Sequence, residues 1–344
     1  MINFECDYTQ GTLPEILSAL CETNMQQTLT YGEDEYSAEA RELIRKFFGC
    51  PQASVHFMTG GTQANRLAIS WLLRPHQGVI AAETGHISVH ETGAIEAAGH
   101  KVLTLPSADG KITARQVADT CDACFNDVNR EHIVCPGMVY ISQPTENGTL
   151  YSKAELTALS EVCRQKGVKL YMDGARLSYA LASPYCDLTA EDCAGLCDVI
   201  CMGGTKAGAL FGEALVFTDP RDAADIRCYI KQSGALLAKG RLLGLQFAVL
   251  MRDGLYIRAA KGAVTEALRI RKALEDKGIG MYYDSYTNQQ FPVMPDEWLE
   301  KLSRDYLTSF WFKADETHSV VRFCTSWATE SEQTDRLLKD IAAL

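Results

Sequence analysis

The segment Ile200-Cys-Met-Gly-Gly-Thr-Lys-Ala-Gly-Ala-Leu-Phe-Gly212 carries a single charged residue, Lys206, among small and apolar residues. Residues 198–202 predict a buried strand that ends just before this lysine. An ammonium group in such surroundings loses part of its hydration, and no acidic residue lies nearby in sequence to pair with it. A desolvated lysine gives up its proton more easily, which suits a nucleophile better than a structural residue.

Seven short apolar runs, this one included, predict buried strands that alternate with amphipathic helices. The runs cover residues 55–58, 78–82, 101–105, 138–142, 169–172, 198–202 and 214–218. Strands joined by helices pair in parallel and are covered on both faces, so we expect an α/β fold. The large domain should have three layers, α/β/α, around a mostly parallel seven-stranded sheet. Ser152-Lys-Ala-Glu155 predicts a capping box for one helix that Gly167 ends, and Thr12-Leu-Pro-Glu15 predicts a similar start for the first helix.

The pattern changes after about residue 220 to long helical runs, and after Gly278 to short strand-like pieces. Thr329-Glu-Ser-Glu332 predicts the cap of a final helix. These residues predict a small α+β domain of about 100 residues. We place the boundary near residue 240, which gives a large domain with the N-terminal segment, 1–240, and a small C-terminal domain, 241–344.

The composition excludes several classes of protein. A chain of 344 residues with 47% hydrophobic and 22% charged residues is ordinary for a globular protein. Its net charge of −11 argues against a nucleic-acid partner, and no apolar run is long enough to cross a bilayer. The first basic residue is Arg41, which fits neither a secretory signal nor a transit peptide. We therefore expect a cytoplasmic protein with no membrane partner.

Thirteen cysteines raise the question of a zinc or redox site. Cys121 and Cys124 form a C-x-x-C pair, but it falls inside a helical run. No second pair of cysteines or histidines follows at the spacing of a zinc finger. We therefore expect no metal site and reduced cysteines that serve as small core residues.

Polar residues follow the predicted strands at the sheet edge where α/β proteins bind ligands. Thr59-Gly-Gly-Thr-Gln-Ala-Asn65 joins a strand to a helix. Its glycines and the helix N-terminus offer backbone donors to a phosphate, although a tight turn that binds nothing would look the same. It is not a Walker loop, because G-x-x-x-x-G-K-[ST] is absent.

Two histidines, His86 and His90, follow the next strand one helical turn apart. An imidazole there can stack on a flat ring or move a proton. With Glu91 they could also suggest a metal, but the H-E-x-x-H pattern is missing, and either histidine could be incidental.

Asp173 ends an apolar strand, where an unpaired carboxylate is costly to bury. An ion pair with Arg176, three residues on, is the simple explanation. Lys206 follows at the end of the next strand, so one sheet edge gathers a phosphate loop, a histidine, an aspartate and a desolvated lysine. Pyridoxal 5′-phosphate requires each of these groups, with the lysine as its Schiff-base partner and the aspartate beside its ring nitrogen.

Several motifs, in this order, resemble those of the low-specificity L-threonine aldolases, within the wider β-eliminating lyase group. They are Tyr31-Gly-Glu-Asp34, Gly61-Thr62 with Asn65, His86, Asp173-Gly-Ala-Arg176 and Thr205-Lys206. The resemblance runs from Asp7 to about Arg322 and implies fold type I of the pyridoxal phosphate-dependent transferases.

The resemblance also implies a role for each matched residue. Lys206 would form the Schiff base, Asp173 would contact the ring nitrogen and His86 would stack on the ring. The residues implied to hold the rest of the cofactor are Gly60, Gly61, Thr62, Thr205 and Arg176. The residues implied to bind substrate are Cys6, Tyr31, His90, Arg176 and Arg322, with the two arginines on the α-carboxylate.

A homodimer or homotetramer with shared active sites is implied as well, in which Lys239 or Arg241 would reach the partner's phosphate. Two departures from the family pattern stand out. Cys6-Asp7 replaces its usual Ser-Asp, and Ser142-Gln-Pro-Thr-Glu-Asn-Gly148 lacks the second active-site histidine, which is linked to the β-hydroxyl proton. His90, Glu146 or a water could take the place of that histidine.

The reaction we expect is cleavage of the Cα–Cβ bond of L-threonine or L-allo-threonine to glycine and acetaldehyde. One alternative keeps the cofactor and performs β-elimination or transamination on another amino acid. A more distant alternative is a nucleotide-binding α/β protein in which Lys206 only contacts a phosphate.

Overall fold

A seven-stranded sheet forms the centre of the molecule, for which a computed structural model describes residues 1–344. In chain order the first eight strands are β1 (Ile2–Asn3), β2 (Ser54–Met58), β3 (Gln77–Ala82), β4 (Val102–Leu105), β5 (Cys135–Ser142), β6 (Lys169–Gly174), β7 (Val199–Gly203) and β8 (Glu213–Phe217). The sheet has the order β2-β8-β7-β6-β5-β3-β4. Only β8 runs antiparallel to its neighbours, so the seven predicted strands and their mostly parallel arrangement are confirmed.

Helices cover both faces of this sheet. In chain order the helices that precede the small sheet are α1 (Pro14–Glu22), α2 (Glu35–Phe47), α3 (Gly61–Leu72), α4 (His86–Val89), α5 (Ala94–Ala97), α6 (Ala114–Phe125), α7 (Lys153–Lys166), α8 (Leu177–Ala182), α9 (Ala190–Leu196), α10 (Ile226–Gln232), α11 (Arg241–Met251) and α12 (Leu255–Asp276). Alternate strand residues point to opposite faces: Ile200 packs with α2, α6 and α7, whereas Val199 packs with α3 and α10. The predicted three layers are therefore present, and two apolar cores hold the sheet edge in place.

A small domain follows, with a sheet in which one strand is central. Its elements are β9 (Gln289–Gln290), β10 (Val293–Pro295), α13 (Asp296–Leu302), β11 (Tyr306–Leu307), β12 (Ser309–Lys313), β13 (His318–Cys324) and α14 (Ser331–Ala343). β13 pairs with β9, β10 and β12, and β1 pairs with β11, so the N-terminus joins this domain. Conversely, α11 begins after the predicted boundary at residue 240, yet its Phe247 packs in the core of the large domain. The boundary at residue 240 stays a prediction.

The predicted helix starts are partly confirmed. Ser152 caps α7, because its hydroxyl accepts from Glu155 N (3.2 Å) while Glu155 accepts from Ser152 N (2.8 Å), and Gly167 ends the helix in the left-handed region. The prediction for Thr12 is wrong. Its hydroxyl donates to the carbonyl of Gly208 (2.7 Å) and ties the N-terminal segment to the lysine loop.

The prediction for the last helix is also wrong by one residue. Glu330, with Gln333, forms the capping box of α14, whereas the Thr329 hydroxyl accepts from Ser326 N at 2.9 Å. Gln333 contributes the side-chain contact, because its Oε1 accepts from Glu330 N at 3.3 Å.

The expectation of reduced cysteines fails for one pair. Cys124, at the end of α6, forms a disulfide with Cys135, at the start of β5, with their Cα atoms 5.7 Å apart. Its C-x-x-C neighbour Cys121 is free and buried, and burial raises the pKa of this thiol to about 11. The sequence indicated no partner for either residue, because the two meet only once α6 lies beside β5. No helix of the chain has both the length and the apolar character needed to span a membrane.

Candidate active site

A cavity of about 260 Å³ opens at the carboxyl edge of the sheet. Eight of the predicted site residues line it: Gly60, Gly61, Thr62, His86, Asp173, Arg176, Thr205 and Lys206. They come from the ends of β2, β3, β6 and β7, and adjacent strand ends bring them together. The other lining residues are Thr59, Asn65, Ser142, Pro144, Glu146, Ala175, Phe211 and Glu213.

One wall of the cavity is built for an anion. Gly60 is the N-cap of α3, which begins at Gly61, so unpaired helix amides face this region. A Cβ added to either glycine would meet no atom within 4 Å, so the space beside their backbone is open to a ligand. Gly203 is different, because a Cβ there would lie 2.3 Å from the Ala175 carbonyl oxygen. The predicted turn therefore has room for a phosphate.

Lys206 follows β7 in a short 3₁₀ turn. Burial, with help from the nearby Arg176 guanidinium, lowers the pKa of its ammonium group. The amine makes no ion pair, and its Nζ lies 5.9 Å from the centroid of the Tyr8 ring. These surroundings favour the free amine that a nucleophilic lysine needs.

Asp173 is held by three hydrogen bonds at the end of β6. Its Oδ2 accepts from Asn65 Nδ2 (2.9 Å) and from the Tyr140 hydroxyl (2.6 Å), and its Oδ1 accepts from Ala175 N (2.9 Å). The simple ion pair with Arg176 does not form. The carboxylate is instead fixed in orientation at the cavity wall, as a contact to a ligand ring would require.

Arg176 pairs with Asp7 from the N-terminal segment. The guanidinium donates from Nε (2.7 Å) and Nη2 (2.9 Å) to the two carboxylate oxygens, and Asn288 donates to the same carboxylate (2.9 Å). Burial opposes the charge on Asp7, but Arg176 and Lys206 lower its pKa overall. Burial likewise opposes the charge on Arg176, but Asp7 raises its pKa. Asp7 thus keeps Arg176 charged and aimed at the cavity.

Asp7→Ala should lower the free energy of unfolding by about 3 kcal/mol, because removal of one partner leaves a buried guanidinium without its counter-charge. Urea unfolding followed by circular dichroism measures the change. Glu5→Ala is the matched control, since Glu5 is exposed and its side chain pairs with nothing. Equal stability of the two variants would contradict the structural role of the pair.

His86 begins α4 and is oriented by Glu91. The two groups share a hydrogen bond of 2.7 Å between Nδ1 and Oε1, and Asn65 Nδ2 donates to the same oxygen (2.7 Å). Burial opposes protonation of His86, but the Glu91 hydrogen bond and the Asp173 charge raise its pKa overall. His86, Glu91, Asn65 and Asp173 therefore form one connected network along the cavity.

Glu146 lies in the loop after β5 and lines the cavity. Its Oε1 accepts from Ser142 Oγ (2.7 Å) and from His86 N (3.0 Å), and Oε2 accepts no hydrogen bond from another residue. Burial raises the pKa of this carboxyl, although the Ser142 hydrogen bond acts in the other direction. A glutamate with a raised pKa at a cavity wall is suited to proton transfer.

Four predicted residues do not line the cavity: Cys6, Tyr31, His90 and Arg322. Cys6 precedes Asp7, and the exposed His90 has its ring centroid 5.6 Å from that of His86. Arg322 donates to the Glu5 carbonyl oxygen (2.9 Å), and its buried Nε has no partner.

Tyr31 lies in a separate pocket together with Arg227 and Gly240. Its φ is 58°, which is uncommon for tyrosine, and its backbone N donates to the Ala238 carbonyl at 3.0 Å. The loop that carries Lys239 thus lies beside Tyr31, away from this chain's own cavity.

Five residues of the site were not assigned roles by sequence reasoning: Asn65, Glu91, Tyr140, Glu146 and Glu213. Tyr140 and Glu213 could have been detected in the sequence, because each is a polar residue in or beside an apolar strand. Asn65 and Glu91 stood out only beside Gly61-Thr62 and beside the two histidines, and the network they form was not detectable because Asn65 reaches Glu91 and Asp173 from another strand end. The signal for Glu146 was the missing histidine, which opened several alternatives without selecting one.

The fold and this site define a pyridoxal phosphate-dependent enzyme of fold type I. The same fold is found in the histidinol-phosphate aminotransferase from Clostridium acetobutylicum, with a TM-score of 0.74 at 14% identity over 100% of this chain and 98% of that one. At that identity the likeness concerns the fold alone. The donor set fits the cofactor, since open backbone amides, a fixed aspartate and an unpaired lysine share one cavity.

The chain belongs to the beta-eliminating lyase family, whose sequence profile matches residues 3–295. It is 34% identical to the low specificity L-threonine aldolase of Pseudomonas sp. (strain NCIMB 10558), over 99% of this chain and 97% of that protein. The solved structure of Leishmania major threonine aldolase superposes with a TM-score of 0.96 at 42% identity, over 100% of this chain and 99% of that one. The chain is a carbon–carbon lyase that depends on pyridoxal phosphate.

Proposed function

We propose that this enzyme cleaves the Cα–Cβ bond of β-hydroxy amino acids and converts L-threonine or L-allo-threonine into glycine and acetaldehyde. The observation that carries the proposal is a single cavity that holds an unpaired lysine, a fixed aspartate and an anion cradle. The whole-length similarity to threonine aldolases gives the substrate class.

Four parts of the cavity wall would hold the cofactor. Lys206 would bind its aldehyde carbon, Asp173 its ring nitrogen, and His86 would lie against the ring. The amides of Gly60, Gly61 and Thr62, with the Thr205 hydroxyl, would bind the phosphate. When bound, pyridoxal phosphate supplies an electron sink for the bond that breaks.

Arginine side chains would bind the α-carboxylate of the substrate. Arg176 lines the cavity, and Asp7 occupies Nε and Nη2, so Nη1 remains for a ligand. Arg322 of the small domain is a second possible donor, because its Nε is buried and has no hydrogen-bond partner. A guanidinium binds a carboxylate through paired hydrogen bonds, which fixes the α-carbon in one orientation.

Glu146 is the residue we assign to the β-hydroxyl proton, in preference to His90 or a water. It lines the cavity with an unused Oε2, whereas His90 is exposed and outside the lining. The ionised Glu146 carboxylate would accept the hydroxyl proton as the Cα–Cβ bond breaks.

A product screen tests the proposal. The purified holoenzyme is incubated with L-threonine, L-allo-threonine, L-serine and an amino acid with a good β-leaving group, and aldehydes and oxo acids are measured. Acetaldehyde from both threonine isomers is expected. A 2-oxo acid from the β-substituted amino acid, with no aldehyde from threonine, would favour β-elimination instead and overturn the proposal.

We also assign a homo-oligomer with shared active sites, supported by the surface around Tyr31. Large exposed apolar residues lie on α1 and the loop after it: Leu17, Met25, Leu29 and Tyr31. Such a surface fits a partner subunit. Lys239 and Arg241 lie next to this loop, so the same contact could bring them to the partner's phosphate. A cytoplasmic location stays a prediction from the sequence.

Mixing two inactive variants should restore activity if Tyr31 acts in the partner's cavity. Chains with Lys206→Ala supply an intact Tyr31, and chains with Tyr31→Ala supply an intact Lys206. Randomly mixed dimers should recover about a quarter of the wild-type acetaldehyde release, because half of the dimers are mixed and each has one complete site. Activity no higher than that of the separate variants would contradict the sharing of sites.

A further inference from the structure

Gln289 is a fully buried polar residue to which the proposed reaction assigns no role. It lies in β9 opposite Cys324 of β13, and Arg322 is two residues before Cys324 on the same strand. Because alternate residues of a strand point to the same face, the side chains of Gln289, Cys324 and Arg322 share one face of the small sheet. Gln289 therefore lies beside the arginine that would bind the substrate's α-carboxylate.

The side chains of Gln289 and Arg322 are in contact, and each keeps one hydrogen-bond donor without a partner. Arg322 Nη1 donates to Gln289 Oε1 (3.2 Å), which leaves the amide nitrogen of Gln289 free. The buried Gln289 Nε2 and the buried Arg322 Nε have no hydrogen-bond partner. A buried donor without an acceptor is costly, and nearly all such groups in folded proteins are paired. Two unpaired donors on touching side chains therefore point to an acceptor that binds here.

The position of Tyr8 places this pair of donors near the reacting lysine. The centroid of the Tyr8 ring lies 5.9 Å from Lys206 Nζ. Burial raises the pKa of the Tyr8 phenol, whereas the charges of Arg176 and Arg322 act in the other direction. Both guanidinium groups are therefore close to this phenol. The donors of Gln289 and Arg322 thus lie on the same side of the site as Arg176 and Lys206.

The residue before Gln289 ties the same segment to Arg176. Asn288 Nδ2 donates to Asp7 Oδ2 (2.9 Å), and Asp7 pairs with Arg176. Two consecutive residues of the small domain thus contact the counter-ion of one arginine and the guanidinium of the other. An α-carboxylate has two oxygens and a full negative charge, which match two guanidinium groups and a neutral amide donor.

We propose that Gln289 belongs to the substrate-binding site: its Oε1 holds the Arg322 guanidinium in place, and its Nε2 donates a hydrogen bond to the α-carboxylate of the amino acid. This inference rests on the proposed function, in which Arg322 binds that carboxylate. A neutral donor adds affinity without adding a third positive charge near Lys206, whose amine must stay unprotonated. Gln289 thus helps the site to select an amino acid over an amine that lacks a carboxylate.

The test compares the binding of glycine with that of methylamine, which carries an amino group but no carboxylate. The full-length holoenzyme is titrated with each ligand at one pH, the absorbance of the cofactor is followed, and the Kd of Gln289→Met is divided by that of wild type. This ratio cancels each ligand's own titration. For glycine it should reach about tenfold or more, the usual contribution of a hydrogen bond to a charged group. For methylamine the two Kd values should be the same.

Two further variants keep the result interpretable. Gln289→Glu has nearly the same shape but no amide donor, so it should weaken glycine binding at least as much, which covers the case that methionine disturbs folding. Gln290→Met makes the same change on the opposite face of β9, where Gln290 donates to the Thr287 carbonyl (2.9 Å), and should bind glycine like wild type. Equal shifts for glycine and methylamine, or no shift, in both Gln289 variants overturn the proposal. Threonine cleavage by wild type is measured separately, so such a result leaves the proposed reaction standing.

Discussion

Lys206→Ala is expected to abolish covalent attachment of the cofactor and to lower kcat/KM for threonine cleavage by about 10⁴-fold or more. No other lysine lines the cavity, so no second amine can replace it. Borohydride reduction of the holoenzyme followed by peptide mass analysis measures the attachment. The wild-type chain should carry the reduced adduct on the peptide that contains Lys206, and the variant should carry none.

Lys153→Ala is the matched control, because Lys153 is exposed at the start of α7 and pairs only with Asp192. It should retain both the adduct and the activity. An adduct that survives in Lys206→Ala, on any other lysine, would contradict the assignment of the nucleophile.

Glu146→Gln is expected to lower kcat by about 10²- to 10⁴-fold with a small change in KM. Glutamine keeps the shape of the side chain and can still accept from Ser142 and His86, but it has no basic carboxylate. Steady-state kinetics with L-allo-threonine measure both constants, and absorbance of the bound cofactor shows that the site is still loaded.

The pH profile adds a second readout for Glu146. The ionised carboxylate is the base, so kcat should fall as pH drops through its pKa, and burial places this fall above the range of an ordinary glutamate. The variant should lose that limb. His90→Asn is the control and should keep most of the activity; a large loss in His90→Asn with an active Glu146→Gln would reverse the assignment.

The fold was predictable because its signals are local. Each strand of the central sheet is an apolar run that ends in a polar or glycine-rich turn, and 198–202 differs from the observed β7 by one residue at each end. The cap at Thr329 failed by one residue, because its hydroxyl accepts from Ser326 N in the turn before the helix, and the cap at Thr12 failed because a distant contact decides it. Thr12 bonds to Gly208, almost two hundred residues away. The disulfide was missed for the same reason, since Cys124 and Cys135 meet only after α6 packs beside β5.

The site residues that could be predicted are those that directly follow a strand, because their position along the chain already places them at the ligand-binding edge of the sheet. Lys206, Asp173 and the turn at Gly60 each follow a strand, and parallel strands deliver their ends to one edge. The network around them was not predictable, because Asn65 joins Glu91 and Asp173 across three different strand ends. The partner of Arg176 was not predictable either: it is Asp7, from the other end of the domain, and the alternative of a simple Asp173–Arg176 ion pair is wrong.

The central claim is that this site breaks the Cα–Cβ bond of threonine. Proton NMR of the holoenzyme with L-threonine tests it most directly, because it follows all products in one sample. Glycine and acetaldehyde appearing in equal amounts as threonine disappears is the predicted result. Formation of 2-oxobutanoate and ammonia without glycine would show that another bond breaks and would contradict the account.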